Sequence, residues 1–299
     1  MYDAEWAFRR YEAVRDRLPH AEFSGQPKAV TDLSDTFADY DAYILDAYGV
    51  LNFGDTVIPG AVERIAQMRA AGKRVVVLTN GASFPRENSL RKYVKYGFDF
   101  TAEEVVSSRD VAAAGLKTWP TDMLWAGITA TGAGFEDLPA RIQNIEEDET
   151  LYERADGFLF LGALNWDDVK QARLSAALRD RPRPVIVANP DIVAPREGDF
   201  SLEPGYYAHE LPVWQTGPNP QFYGKPFLPA FEAALAALGK VDPKRVAMVG
   251  DTLHTDVLGG RAAGVGTILI AGHGLFRGLD AMDYVNRSGI IPDVIAQTT

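Results

Sequence analysis

Four short apolar runs, rich in Val and Ile and separated by helix-patterned stretches, limit what this chain can fold into. They are "YIL" (43–45), "RVVVLTN" (74–80), "RVAMVGD" (245–251) and "VGTILIAG" (265–272). Each is continuous rather than alternating, as expected of strands buried on both faces of a parallel sheet. Between them, "PGAVERIAQMRAAG" (59–72) places Val62, Ile65 and Ala66 on one helical face, with Pro59 near its start and Gly72 as its stop. "LPAFEAALAALG" (228–239) does the same with Phe231, Ala234, Leu235 and Leu238. Strand alternating with helix predicts a doubly wound, Rossmann-like α/β sheet. The first nineteen residues predict a helix, from Ala7, Tyr11, Val14 and Leu18, and "HAEFSGQPKAV" (20–30) reads as a connector, so residues 1–40 form an extension ahead of the core.

The stretch from 118 to 205 has a different texture. Three further apolar runs, "MLWAGI" (123–128), "GFLFLGAL" (157–164) and "PVIVAN" (184–189), share it with an acidic run, "IEEDET" (145–150), which reads as a solvated loop. "NWDDVKQARLSAALRD" (165–180) predicts a helix with Asn165 as its N-cap. Trp119-Pro120 and Glu203-Pro204-Gly205 punctuate the two ends. The expected organisation is a smaller α/β domain, 118–205, inserted into a core of 41–117 and 206–299.

A formal charge of −11 argues against a nucleic-acid partner, because that affinity draws on Lys and Arg neutralising phosphates. The absence of cysteine excludes thiolate nucleophiles and Cys-rich zinc sites. No early apolar segment suggests a signal peptide and no run approaches a membrane span, so the expected location is the cytoplasm, without a membrane partner.

Three core runs end in polar residues at their carboxyl edge: Asp46, Thr79 with Asn80, and Asp251. Ligands of open α/β sheets bind outside those edges. Singly, such residues are common helix caps and turns; together in one sheet they mark a site. Lys225 lies in "YGKPF" between Gly224 and Pro226; a Walker A loop is excluded by the spacing from Gly217 and by Pro226 in its Ser/Thr position. In "MVGDTLHTDVLGG" (248–260), Asp256 follows Asp251 by five residues, a pair suited to a hard cation, Mg2+ before Zn2+.

"DAYGVL", "VVLTN", "GKP" and "GDTLHTD", in that order, resemble the four motifs of the haloacid dehalogenase-like (HAD) superfamily. The "LTNGAS" stretch, the large insert and "ANPD" (188–191) resemble its class IIA, NagD-like phosphatases, from about Asp41 to the C-terminus. The resemblance implies an HAD core with a C2-type cap. It implies Asp46 as nucleophile, and Mg2+ held by Asp46, the Tyr48 carbonyl and Asp251 with Asp256 behind. Thr79, Asn80 and Lys225 are then expected at the phosphoryl oxygens of a small phosphorylated metabolite. Cap loops 162–168 and 188–191 would face the core, bringing Asn165, Trp166, Asn189 and Asp191 toward the substrate, with Trp166 either stacking on a ring or buried in the cap. A homodimer is expected by analogy with other caps of this class.

Tyr48 departs from the pattern, since the family normally has a second Asp two residues after the nucleophile as general acid and base. A phenol is a poor base near neutral pH, and losing a positioned acid/base costs about 10²–10⁴ in rate. Two readings follow: a phosphatase whose rate depends steeply on its leaving group, or a non-catalytic binder of phosphorylated ligands. A receiver-type signalling domain is excluded by the insert and the "GDTLHTD" segment, and a dinucleotide-binding oxidoreductase by the lack of a G-x-G-x-x-G turn.

Overall fold

The computed structural model describes residues 2–130, 132–196 and 199–299. Helix α1 (Ala4–Ala13) is capped by Asp3, whose carboxylate accepts from the Trp6 N–H, and a 3-10 turn, Arg15–Arg17, follows it. The strands of the two sheets, in chain order, are β1 (Lys28–Val30), β2 (Ala42–Leu45), β3 (Arg74–Thr79), β4 (Val105–Ser107), β5 (Leu124–Ile128), β6 (Arg141–Asn144), β7 (Gly157–Phe160), β8 (Val185–Val187), β9 (Gln221–Phe222), β10 (Val246–Gly250), β11 (Gly266–Ile270) and β12 (Val294–Ala296). The principal helices after α1 are α2 (Ala61–Ala70), α3 (Arg86–Lys95), α4 (Ser108–Leu116), α5 (Asp168–Asp180), α6 (Pro204–His209), α7 (Leu228–Leu238) and α8 (Ala281–Ser288).

The larger sheet has the order β1-β12-β11-β10-β2-β3-β4, and its strands are parallel. From β2 the chain winds outward to β3 and β4, then returns beside β2 at β10 and winds the other way. The reversal between β2 and β10 is the topological switch point where open α/β sheets hold ligands. All four residues of β2 are buried. Tyr43 and Leu45 pack on the α2 side with Ile65 and Met68, while Ala42 and Ile44 pack on the α7 side with Phe231, Ala234 and Leu238. Coverage on both faces is why these strands carry no alternation.

The smaller sheet, β9-β8-β7-β5-β6, is also parallel. One face packs on Leu174 and Leu178 of α5 and on Tyr207 of α6; the other covers Ala112 and Leu116 of α4, which belongs to the larger unit. Its edge strand β9 comes from Gln221–Phe222, beyond residue 205. Asn165 is not the cap of α5; Asp167 is, accepting from the Lys170 N–H, because the helix begins only at Asp168.

Two N-terminal expectations change. The helix stops at Ala13, leaving Leu18 beyond it, and residues 28–30 of the expected connector form edge strand β1, paired with β12. Ala7, Phe8 and Tyr11 of α1 pack in one cluster with Leu253, Phe276, Tyr284 and Val285, and with Ile192 and Val193.

Candidate active site

Asp46 follows β2 directly, and its N–H donates to the Val249 carbonyl of β10, so it stands at the switch point. Asp251 follows β10 beside it, and Asp256 comes from the next turn, a single π-helical turn at Leu253–Val257. One oxygen from each of these three carboxylates lies within 4.8 Å of the others. The position of Asp251 is set by close contacts that tolerate only glycine. Gly49 (φ +74°) and Gly274 (φ +71°) enclose Asp251; a Cβ on Gly274 would stand 1.8 Å from Asp251 Oδ2. That oxygen accepts from the Leu275 N–H at 2.8 Å, and Oδ1 accepts from Thr252 Oγ1 at 3.0 Å.

Lys225 lies beneath, 2 % exposed, with Nζ 2.6 Å from Asp46 Oδ1 and 2.7 Å from Asp256 Oδ1. Asp256 Oδ2 accepts from the Thr252 N–H, so both its oxygens are engaged. Burial works against the Lys225 charge, but Asp256, Asp46 and Asp191 outweigh it and raise the lysine above its ordinary value. Burial pushes Asp46 up to about 7 in spite of Lys225, with Asp256 adding to the rise. Asp251 is raised well above the carboxylate range by burial and by Asp46 and Asp256. Three crowded carboxylates against one lysine leave an excess of negative charge, which a divalent cation would offset.

Asp46, Ala47, Tyr48, Thr79, Asn80, Asn189, Asp191 and Asp251 line one cavity of about 280 Å³. Thr79 Oγ1 accepts from the Gly81 N–H. The buried Asn80 side chain joins the two units: Nδ2 donates to Asp191 Oδ1 at 2.8 Å and to the Lys225 carbonyl at 3.0 Å, and Oδ1 accepts from the Lys225 N–H. Asn189 Oδ1 accepts from the Asp191 N–H, and its Nδ2 donates to Glu203. Tyr48 packs its ring on Phe53, centroids 5.1 Å apart.

Four candidates do not line this cavity. Lys225 and Asp256 form the layer under Asp46. Trp166 is buried among Phe160 and Leu174, its indole N–H donating to Gln171, and the Asn165 carbonyl accepts from Lys170. An apolar indole at a loop–helix junction satisfies itself by packing, and here it does.

The sequence reading missed Tyr11 of α1, Ser83, and Ser89, Lys92 and Tyr93 of α3, all of which line the cavity. Residues 89, 92 and 93 share a helical face, but a Ser-Lys-Tyr face on a polar helix is indistinguishable from a solvated one.

A doubly wound core that gathers carboxylates and a lysine beneath a second α/β lobe defines a capped hydrolase. The family model for haloacid dehalogenase-like hydrolases matches residues 43–131, and a second HAD-hydrolase-like model matches 222–297. An acid sugar phosphatase of Staphylococcus haemolyticus is 30% identical over 230 residues, covering 77% of this chain and 84% of the relative. A 4-nitrophenylphosphatase of Schizosaccharomyces pombe is 22% identical over 91% of this chain and 95% of its own length. The structure of NagD from E. coli K-12 shares the fold, with TM-score 0.67, 22% identity, and coverage of 87% and 96% of the two chains. The chain belongs to the haloacid dehalogenase-like hydrolases, in their class IIA, NagD-like phosphatase branch. Hydrolases of this family generally use a divalent metal, and the aspartate set described above fits one.

Proposed function

We propose that the chain hydrolyses the monoester of a small phosphorylated metabolite through an aspartyl-phosphate on Asp46, with Mg2+ as cofactor. The observation that carries this reading is the convergence of Asp46, Asp251 and Thr79 from adjacent strand ends onto one cavity. Asp46 and Asp251, with the Tyr48 carbonyl, would hold the cation, and Asp256 would keep Lys225 in place. Bound there, Mg2+ would supply charge neutralisation for the phosphoryl oxygens. Thr79 and the Asn80 backbone amide would bind those oxygens, and Lys225 would restrain the Asp46 carboxylate while adding positive charge nearby.

The unit from about residue 118 to Phe222, which takes in β5–β9, would act as the cap. Its Asn189 and Asp191 would face the substrate, and Lys92 across the cavity would favour a second anionic or polar group on it. A volume of about 280 Å³ suits a compact sugar or glycerol-sized phosphate. No helix among the described residues is long and apolar enough to cross a membrane.

A panel of phosphorylated metabolites assayed with and without Mg2+ tests the reading. Asp46→Asn should abolish turnover on every substrate. Asp251→Ala should lose cation binding by calorimetry, whereas Asp256→Ala should weaken it by about 10–100-fold. Turnover surviving in Asp46→Asn removes the nucleophile assignment, and binding without turnover in the wild type favours the non-catalytic alternative raised by Tyr48.

A further inference from the structure

Tyr48 leaves the proposed reaction without a carboxylic acid at the usual position, yet the cavity holds another carboxyl group that the metal site does not use. Asp191 enters from the opposite lobe and lines the same cavity as Asp46. It is held at two points. Asn80 Nδ2 donates to its Oδ1 at 2.8 Å, and its own N–H donates to Asn189 Oδ1 at 3.0 Å. Asn80 is fixed in turn by two hydrogen bonds to the Lys225 backbone, which ties Asp191 to the element that restrains the nucleophile. Both restraints leave Oδ2 without a protein donor among the described residues. A carboxyl held by one oxygen and lining the same cavity as a nucleophile is a candidate general acid.

The inference rests on the phosphatase mechanism above. We propose that Asp191 donates the proton to the leaving oxygen, the role that Tyr48 fills poorly. In the first step an Asp46 oxygen bonds to phosphorus as the bond from phosphorus to the substrate oxygen breaks. The Asp191 proton passes to that oxygen, giving the free alcohol. In the second step the Asp191 carboxylate takes a proton from water, whose oxygen bonds to phosphorus. The Asp46–phosphorus bond breaks, phosphate leaves, and Asp191 is again protonated.

The surroundings match the role. Burial raises Asp191 to about 7 against the pull of Lys225 and the Asn80 hydrogen bond, and Glu203 and Asp256 add to the rise. Tyr11 and Asp46 also feel its charge. A carboxyl group titrating near neutrality is poised to give and take a proton in alternate steps.

The experiment measures kcat/KM against pH for alkyl and aryl phosphates in the wild type, Asp191→Asn and Asp46→Asn. The asparagine at 191 keeps an oxygen for Asn80 while removing the proton. Asp191→Asn should lose about 10²–10⁴-fold on alkyl phosphates, little on aryl phosphates whose leaving groups need no proton, and the alkaline fall of the profile near neutrality. An equal loss on both classes, or none, overturns the assignment. The wild type gives an independent result if the variant does not fold. A shallow dependence on leaving-group pKa supports Asp191, and the steep dependence expected from Tyr48 alone overturns it. Asp46→Asn inactive on both classes leaves the phosphatase mechanism standing whichever way Asp191 falls, while an active Asp46→Asn removes that mechanism.

Discussion

Gly274 carries no chemistry of its own, yet the placement of Asp251 depends on it. Its φ of +71° lies in the left-handed region, and any Cβ there would collide with the Asp251 carboxylate. Gly274→Ala should therefore cost about 1–2 kcal/mol in backbone strain. It should also lower kcat/KM by about 10²-fold or more, because displacement of about 1 Å in a reacting constellation has that effect. Thermal melts and steady-state kinetics check both; a variant with unchanged kcat/KM would show that Asp251 tolerates movement. At this scale the sequence was readable wherever a polar residue ends a buried strand, as with Asp46, Thr79 and Asp251. Trp166 was not, since the same side chain suits a ligand face or a core. The cavity role of Tyr11 was equally hidden, because a helix-spaced apolar position says that the residue is buried but not against what.

Among the elements, the central strands were legible because they are covered on both faces and therefore continuously apolar. Edge strand β1 was not. Its "KAV" is largely exposed and too short for a period, and it forms only because β12 offers a free edge. Helix α6 shows a different cost of burial. His209, at its end, is stacked on Trp214 and Phe222 with centroids 5.6 and 5.1 Å away. Burial, aided by Arg17 and Arg10, lowers its pKa from 6.5 to about 3. The unfolded chain therefore binds this proton first. The stability tied to neutral His209 is complete above about pH 6.5 and is lost as the pH falls toward 3. His209→Phe should flatten the acid slope of stability by up to about 1.4 kcal/mol per pH unit, read from urea melts across that interval. Parallel slopes in the two proteins would mean that His209 gains a partner on acidification.

For the molecule as a whole, the presence of an inserted lobe was readable from texture, whereas the punctuation at Glu203-Pro204-Gly205 opens α6 rather than ending the lobe, and the seating on the core depends on residues far apart in sequence. Arg109 of α4 is a clear instance. Its guanidinium is fully buried, forks onto Asp137 with two 2.7 Å bonds, and donates to the carbonyls of Ala82, Ser83 and Gly134. The loop carrying Ala82 and Ser83 walls the cavity, so one side chain clamps that wall to the smaller lobe. Asp137→Ala should destabilise by about 2–4 kcal/mol, less than for a wholly buried pair because Asp137 is partly exposed. Chemical denaturation measures this, and a loss under about 1 kcal/mol would mean that water takes over from the carboxylate.

Helix α1 touches both lobes: Arg10 pairs with Glu210, Arg17 donates to the His209 carbonyl, and Glu5 pairs with Arg287 of α8. That last pair spans 282 positions along the chain. During translation at about 5–20 residues per second, α1 emerges tens of seconds before α8, one of the segments it packs against. Until then its Phe8 and Tyr11 have Ile192 and Val193 to pack against but lack Phe276, Tyr284 and Val285. The packing of α1 would thus be completed late in biosynthesis, only once residues 276–287 have left the ribosome and closed onto it.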